Sequence, residues 1–203
     1  MELLLIRHAR PERIEVAEGP VDPDLDRTGR RQAEALASWL ADERHLDALY
    51  TSPLARARQT AAPLARAQGL EPVVEDEVAE WDRDAHAYIP IEELRATNHP
   101  WWRAMATGDW AALGVDPVAF VARVVAALDG VAARHPSAKV AVVCHGGVIN
   151  AYLGAVLGIE RVLWFDPGYT SVSRVFVSRE GVRSVGTVNE IAHLRAVDAA
   201  PAS

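Results

Sequence analysis

Two short apolar runs in this chain end on histidine. Leu3-Leu4-Leu5-Ile6 leads straight into Arg7-His8, and Val140-Ala141-Val142-Val143 leads into Cys144-His145-Gly146-Gly147. A third candidate strand ends at Tyr50 and is followed by Ser52-Pro53 and by two arginines, Arg56 and Arg58. Apolar runs of this length, bounded by turn residues, read as buried strands. Side chains at the carboxyl ends of such strands point into the crevice where open α/β sheets bind ligands. A histidine between cations is a poor metal ligand, because positive charge repels the metal, but it is well placed to meet an anion. The helix N-termini that follow these strands add free backbone N–H groups and the positive end of a dipole. Arginine offers a planar, permanently charged fork for phosphate oxygens. Histidine, partly neutral near pH 7, can serve as a nucleophile. Together these residues read as an anion site suited to a phosphoryl group, with Arg56 or Arg58 as the helix-borne cation.

The elements that must hold these residues follow from the pattern of the chain. Glu2 to Ile6 reads as the first strand. Ala9 to Asp26 is a long polar loop, and loops of that length are often functional. The next helix can be capped by Asp26 or Thr28 and carries its apolar stripe at Ala33, Leu36, Ala37 and Leu40, with Gly29 an anomaly near its start. Leu46 to Tyr50 is the second strand. Ser52 as N-cap and Pro53 at the first helical position predict a helix that runs to about Gln68 and closes at Gly69. Glu71 to Glu75 is a short third strand. Asp76 to Gly114 has weak periodicity and holds Trp81, Trp101, Trp102 and Trp110. It reads as an excursion over the sheet, with the tryptophans as its packing and His86 and His99 as surface residues. A helix from Asp116 to Arg134 follows, with Asp116 as N-cap and Pro117 at its first position. Lys139 to Cys144 is a buried strand, and a helix runs from Val148 to about Leu157. Ser171 to Ser178 and Val182 to Val188 form a hairpin about Arg179-Glu180-Gly181. Strands alternating with helices imply an α/β fold with a largely parallel sheet and helices on both faces.

Bulk properties narrow the class. The chain has 203 residues, half of them apolar and 24% charged, as in a soluble globular protein, and its length fits one domain. A net charge of −7 argues against general nucleic-acid binding and against an anionic membrane surface. One cysteine, Cys144, excludes an internal disulfide and fits a reducing compartment; it reads as a small buried residue. No signal-like or membrane-spanning run is present, so the expected location is cytoplasmic. The apolar hairpin near the C-terminus could be an edge that pairs with a second subunit, a possible homodimer.

In their order and spacing, six segments resemble the histidine phosphatase superfamily, in its phosphoglycerate-mutase-like branch (branch 1). They are Leu5-Ile6-Arg7-His8, Leu25 through Gly29 to Gln32-Ala33, Ser52-Pro53-Leu54-Ala55-Arg56-Ala57-Arg58-Gln59-Thr60-Ala61, Glu80, His145-Gly146-Gly147, and Asn189 to His193-Leu194. The resemblance implies a three-layer α/β/α sandwich with a mostly parallel central sheet, one domain over 1–203, and an excursion at about 76–114 covering the active site. It implies a phosphoric monoester hydrolase of the histidine acid phosphatase type, with no cofactor and no metal, acting on a small phosphorylated substrate. His8 would form a phosphohistidine, and Arg7, Arg56, His145 and the backbone N–H of Gly146 would hold phosphoryl oxygens. Arg56 rather than Arg58 matches the family's phosphate arginine. His145 would be cationic beside phosphate. Glu80 would be the proton donor, with a raised pKa. The alternatives are a phosphoglycerate-mutase-type phosphotransferase and a weakly active phospholigand-binding pseudoenzyme. The chain departs from the family pattern just beyond the nucleophile, at Ala9, Pro11 and Ile14, which leaves Arg10 and Arg13 as possible replacement phosphate contacts.

Overall fold

The computed structural model describes residues 1–41, 43 and 45–198. In chain order its regular elements are β1 (Glu2–Arg7), β2 (Ile14–Glu15), α1 (Arg27–Ala41), β3 (Ala48–Thr51), α2 (Ala55–Gln68), β4 (Val73–Val74), β5 (Ala87–Tyr88), α3 (Ile91–Ala96), α4 (Pro100–Thr107), α5 (Pro117–Arg134), β6 (Lys139–Cys144), α6 (Gly146–Leu157), β7 (Val172–Val177), β8 (Arg183–Glu190) and α7 (Arg195–Asp198). The main sheet has the order β4-β3-β6-β1-β7-β8. Its first four strands are parallel, and β7 and β8 add an antiparallel margin.

The alternation of side chains along β1 explains the layers. Successive residues of a strand face opposite sides. Leu3 and Leu5 pack with Phe120, Val124 and Leu128 of α5 and with Val148, Ile149 and Tyr152 of α6. Leu4 and Ile6 pack with Leu36 and Leu40 of α1 and with Ala57, Ala61 and Leu64 of α2. Both faces are therefore covered, and β1 reads as an unbroken apolar run because it is buried on both sides. This is the three-layer α/β/α arrangement expected from the sequence. Parallel pairing of β1 with β6 sets Arg7 beside Cys144, so His8 and His145 leave the sheet at the same edge.

Several element boundaries differ from the sequence reading, each for a tertiary reason. Helix α2 starts at Ala55, with Leu54 at its cap. Ser52 does not cap it, because its hydroxyl lies 2.7 Å from His145 Nε2; the Ala55 N–H instead donates to the Asp22 carboxylate at 2.9 Å. Helix α6 begins at Gly146, two residues before the expected Val148. The strand at 71–75 shrinks to Val73–Val74 at the exposed sheet edge. The excursion contains two helices, α3 and α4, and the strand β5, which pairs Tyr88 with Ile14 and Ala87 with Glu15. Asp26 caps α1 through its Oδ1, which accepts from Gly29 N at 2.6 Å. At the other margin β8 is the edge strand, and Phe176, Val182 and Val188 are exposed there. Among the described residues no helix is long and apolar enough to cross a membrane.

Candidate active site

The carboxyl ends of β1 and β6 deliver the two histidines. His8 N donates to Cys144 O at 2.9 Å, which fixes the turn after β1, and Ala9 N donates to Thr60 Oγ1 at 2.8 Å, which ties that turn to α2. The His8 ring is buried, with its Nδ1 2.8 Å from the Ala9 carbonyl. A carbonyl only accepts, so Nδ1 carries the ring proton and Nε2 keeps its lone pair. Burial first, then Arg56 and Arg7, lowers the His8 pKa well below the ordinary imidazole value. The ring is thus neutral, with its nucleophilic nitrogen unprotonated.

His145 lies with its ring centroid 5.1 Å from that of His8. The Ser52 hydroxyl receives the Leu54 N–H at 3.3 Å and can give its own proton to His145 Nε2, which leaves Nδ1–H as a buried donor without a partner. Burial, followed by Arg56, His8 and Arg7, lowers the His145 pKa well below the ordinary value. His145 is therefore neutral in the free protein, while the expectation of a cationic ring concerns the phosphate-bound state. Three neighbouring positive or potentially positive groups in a dry site make a further charge too costly.

The guanidinium groups are held on their outer nitrogens and free on their inner ones. Arg7 Nη1 donates to the Pro167 carbonyl, and the group lies 4.1 Å over the Tyr169 ring. Arg56 Nη2 donates to Asp82 at 2.9 Å, and the group lies 4.9 Å from the Tyr88 ring. In both residues Nε is buried without a partner among the described residues. Unpaired buried donors are rare. Together with His145 Nδ1–H, these two mark where an anion's oxygens would be received. Arg58 is exposed and lies outside this cluster, on a separate surface depression. Arg10 and Arg13 do not replace missing contacts. Arg10 Nε pairs with Asp26 at 2.6 Å, and Arg13 pairs with Glu93 and Glu15 at the surface.

Glu80 approaches from the excursion. Its Oε2 accepts from Gly147 N at 2.7 Å, at the N-terminus of α6, and its Oε1 accepts from Trp81 N at 3.1 Å. A Cβ on Gly147 would sit 2.4 Å from Glu80 Oε1, so the close approach requires glycine there. Arg123 of α5 donates to the carbonyls of Glu77 and Ala79 at 2.6 and 2.9 Å, clamping the segment that carries Glu80. Burial, reinforced by the Asp82 charge and opposed by the two backbone N–H groups and Arg56, raises the Glu80 pKa to about 7. That is the raised value a proton donor needs. Cys144 is buried, and burial pushes its thiol far up, so it is inert as a nucleophile.

Arg7, His8, Glu80 and Gly146 line one cavity of about 670 Å³. Arg56 and His145 are buried against residues of its wall, through Asp82 and His8 respectively. The wall also contains residues the sequence reading did not place there. Trp101 and Trp102, expected as packing, face the cavity, as do Tyr88, Asp82 and His86. His99 instead caps α4, accepting from Trp101 N at 3.2 Å. Asn150 of α6 holds the far wall. Its amide donates to the carbonyls of Gly146 and Phe165 at 2.9 and 3.0 Å and accepts from Trp164 N and Phe165 N at 2.9 and 3.1 Å. Tyr169, on Arg7, and Tyr88, by Arg56, carried no local sequence signal, because ring-over-cation contacts arise only from tertiary placement.

The histidine phosphatase superfamily (branch 1) matches residues 3–190 of this chain, and the chain belongs to that family. Among curated relatives, phosphoserine phosphatase 1 of Hydrogenobacter thermophilus is 33% identical over 190 residues, covering 91% of this chain and 90% of its own length. A mycobacterial glucosyl-3-phosphoglycerate phosphatase complexed with VO3 superposes with a TM-score of 0.76 at 25% identity, over 94% of this chain and 99% of that one. A phosphoserine phosphatase from Entamoeba histolytica, in complex with 3-phosphoglyceric acid, shares the fold with a TM-score of 0.76 at 22% identity, covering 95% and 98% of the two chains.

Proposed function

We propose that this chain is a phosphomonoesterase of the histidine acid phosphatase type that works without a metal through a phosphohistidine on His8. The observation that carries the reading is the pairing of a buried neutral His8, its Nε2 lone pair free, with a buried Glu80 that titrates near 7, on one cavity. His8 Nε2 attacks phosphorus and the bond to the ester oxygen breaks. Glu80 gives its proton to the departing oxygen, so the alcohol leaves neutral. The resulting Glu80 carboxylate then takes a proton from water, whose oxygen attacks the phosphohistidine. Phosphate leaves, and both residues return to their starting states. Arg7 and Arg56 neutralise the phosphoryl oxygens through their unpaired Nε–H groups, and His145 Nδ1–H adds a third donor. Phosphoryl transfer asks mainly for positioning and charge neutralisation, which this set supplies. A bound phosphate dianion also draws the His145 pKa upward, so the ring can become cationic once substrate is present.

The family membership and the names of its relatives, phosphoserine phosphatase among them, support the hydrolase reading over a binding module. Turnover of p-nitrophenyl phosphate with EDTA present is the direct test. The wild type is expected to be active and unaffected by EDTA, and His8→Ala to lose at least about a thousandfold in kcat. Activity surviving in His8→Ala, or abolished by EDTA, contradicts the proposal.

A further inference from the structure

His8 and Gly146 enter the cavity at the carboxyl ends of β1 and β6, and Glu80 reaches the same place through its contact with Gly147. The rest of the cavity is walled by rings and apolar side chains from two other segments. Trp81, Trp101, Trp102 and Met105 come from the excursion, and Trp164 and Phe165 from the turn after α6. All five rings are half-buried in the protein alone, presenting apolar surface to the open cavity. A volume of about 670 Å³ falls within the roughly 300–1,000 Å³ that enclose a drug-sized ligand. It is far more than a phosphoryl group with a three-carbon body fills.

The charges of the wall point the same way. A substrate carrying a carboxylate beside its phosphate needs a second free cation away from the phosphoryl end. Arg95 is taken, since its Nη2 lies 2.9 Å from Asp166 and its guanidinium stacks on Trp102 at 4.6 Å. Arg161 lines the cavity at its solvent-exposed margin, where it donates to the Ala106 carbonyl at 2.8 Å and water screens its charge. Asp84 lines the same wall and repels a second anionic group, while the charges of Asp82 and Asp166 are held by Arg56 and Arg95. Rings set along a cavity wall reward a flat apolar body, whose burial is favourable and whose stacking adds to it.

Resting on the phosphatase reading above, we infer that the substrate is a phosphomonoester of a bulky, uncharged, ring-bearing alcohol, seated against Trp101 and Trp102, rather than a small phosphorylated acid. The test compares kcat/KM for 2-naphthylmethyl phosphate with that for L-phosphoserine and 3-phosphoglycerate. All three are alkyl phosphates, so the comparison is not decided by an activated aryl leaving group. The naphthylmethyl ester is expected to be preferred at least about tenfold. Trp101→Ala, at a half-exposed position on α4, is expected to erase that preference while leaving turnover of phosphoserine within about twofold. Equal or reversed preference overturns the inference but leaves the phosphatase reading standing, and so does a Trp101→Ala loss shared equally by all three esters. If no ester is turned over, calorimetric binding of the same three compounds to the wild type decides. Tighter binding of the naphthylmethyl ester then supports the inference while the catalytic reading falls, and absence of such a preference ends both.

Discussion

Glu80 sits at the balance between its two duties. With a pKa of about 7 it is half protonated near neutrality, so it can give a proton in the first step and take one in the second. The sign of the pH dependence follows. Phosphorylation of His8, read in kcat/KM, needs the acid form, which is lost as pH rises through 7. An alkyl ester should therefore lose about tenfold in kcat/KM per pH unit above about 7.5. Glu80→Gln should lower kcat/KM by about 10²–10⁴ and abolish that limb. Dividing the wild-type profile by the variant's cancels the substrate's own titration; a limb that persists in Glu80→Gln rules Glu80 out as the donor. At this scale the sequence was informative where a residue's role follows from its strand or motif. His8 and His145 end apolar runs, and the arginine chosen in the Ser52-to-Ala61 segment, Arg56, is the buried one. The sequence pattern offers Asp82, with Glu77 and Asp84, only as a rival to Glu80 for the donor role, not as the group that holds Arg56 and raises Glu80, since charges scattered through 76–84 look alike until the fold buries some of them.

The elements position these groups through contacts that span the chain. Gly29, anomalous in a helix by propensity, is explained by packing. A Cβ there would stand 2.0 Å from the backbone carbonyl oxygen of Arg10, in the turn just after His8. No side chain can move aside to relieve that contact. Gly29→Ala should cost about 1–3 kcal/mol in chemical denaturation, despite a gain in helix propensity. Gly130, in the middle of α5, would meet only the Arg134 side chain at 3.5 Å, so Gly130→Ala should stabilise by up to about 1 kcal/mol. Equal effects of the two substitutions would contradict the packing explanation. The helix-start rules failed at Ser52-Pro53 because a distant histidine claims the serine and a loop aspartate, Asp22, supplies the cap. Local pattern does not encode such exchanges. The altered loop beyond the nucleophile has a structural use of its own: Ile14 pairs with Tyr88, whose ring borders Arg56.

Across the whole molecule, the site is assembled from segments more than 130 residues apart, and the sheet order makes this possible. Placing β1 between β6 and β7 puts Arg7-His8 beside Cys144-His145 on one side and beneath Pro167 to Ser171 on the other. The sandwich was legible because alternating strands and helices with two-sided apolar strands admit few topologies. The excursion was legible as a segment over the sheet, but its inner elements were not, because its helices are short and its tryptophans serve a cavity wall rather than a regular apolar stripe. The central claim, a phosphoryl group carried by His8, is tested most directly by quenching the enzyme during steady-state turnover and locating phosphoryl groups by peptide mass spectrometry. The expected result is an acid-labile phosphoryl group on the peptide bearing His8, accumulating further in Glu80→Gln and absent from His8→Ala. Undiminished turnover with no phosphorylated His8, or with the group on another residue, would contradict it.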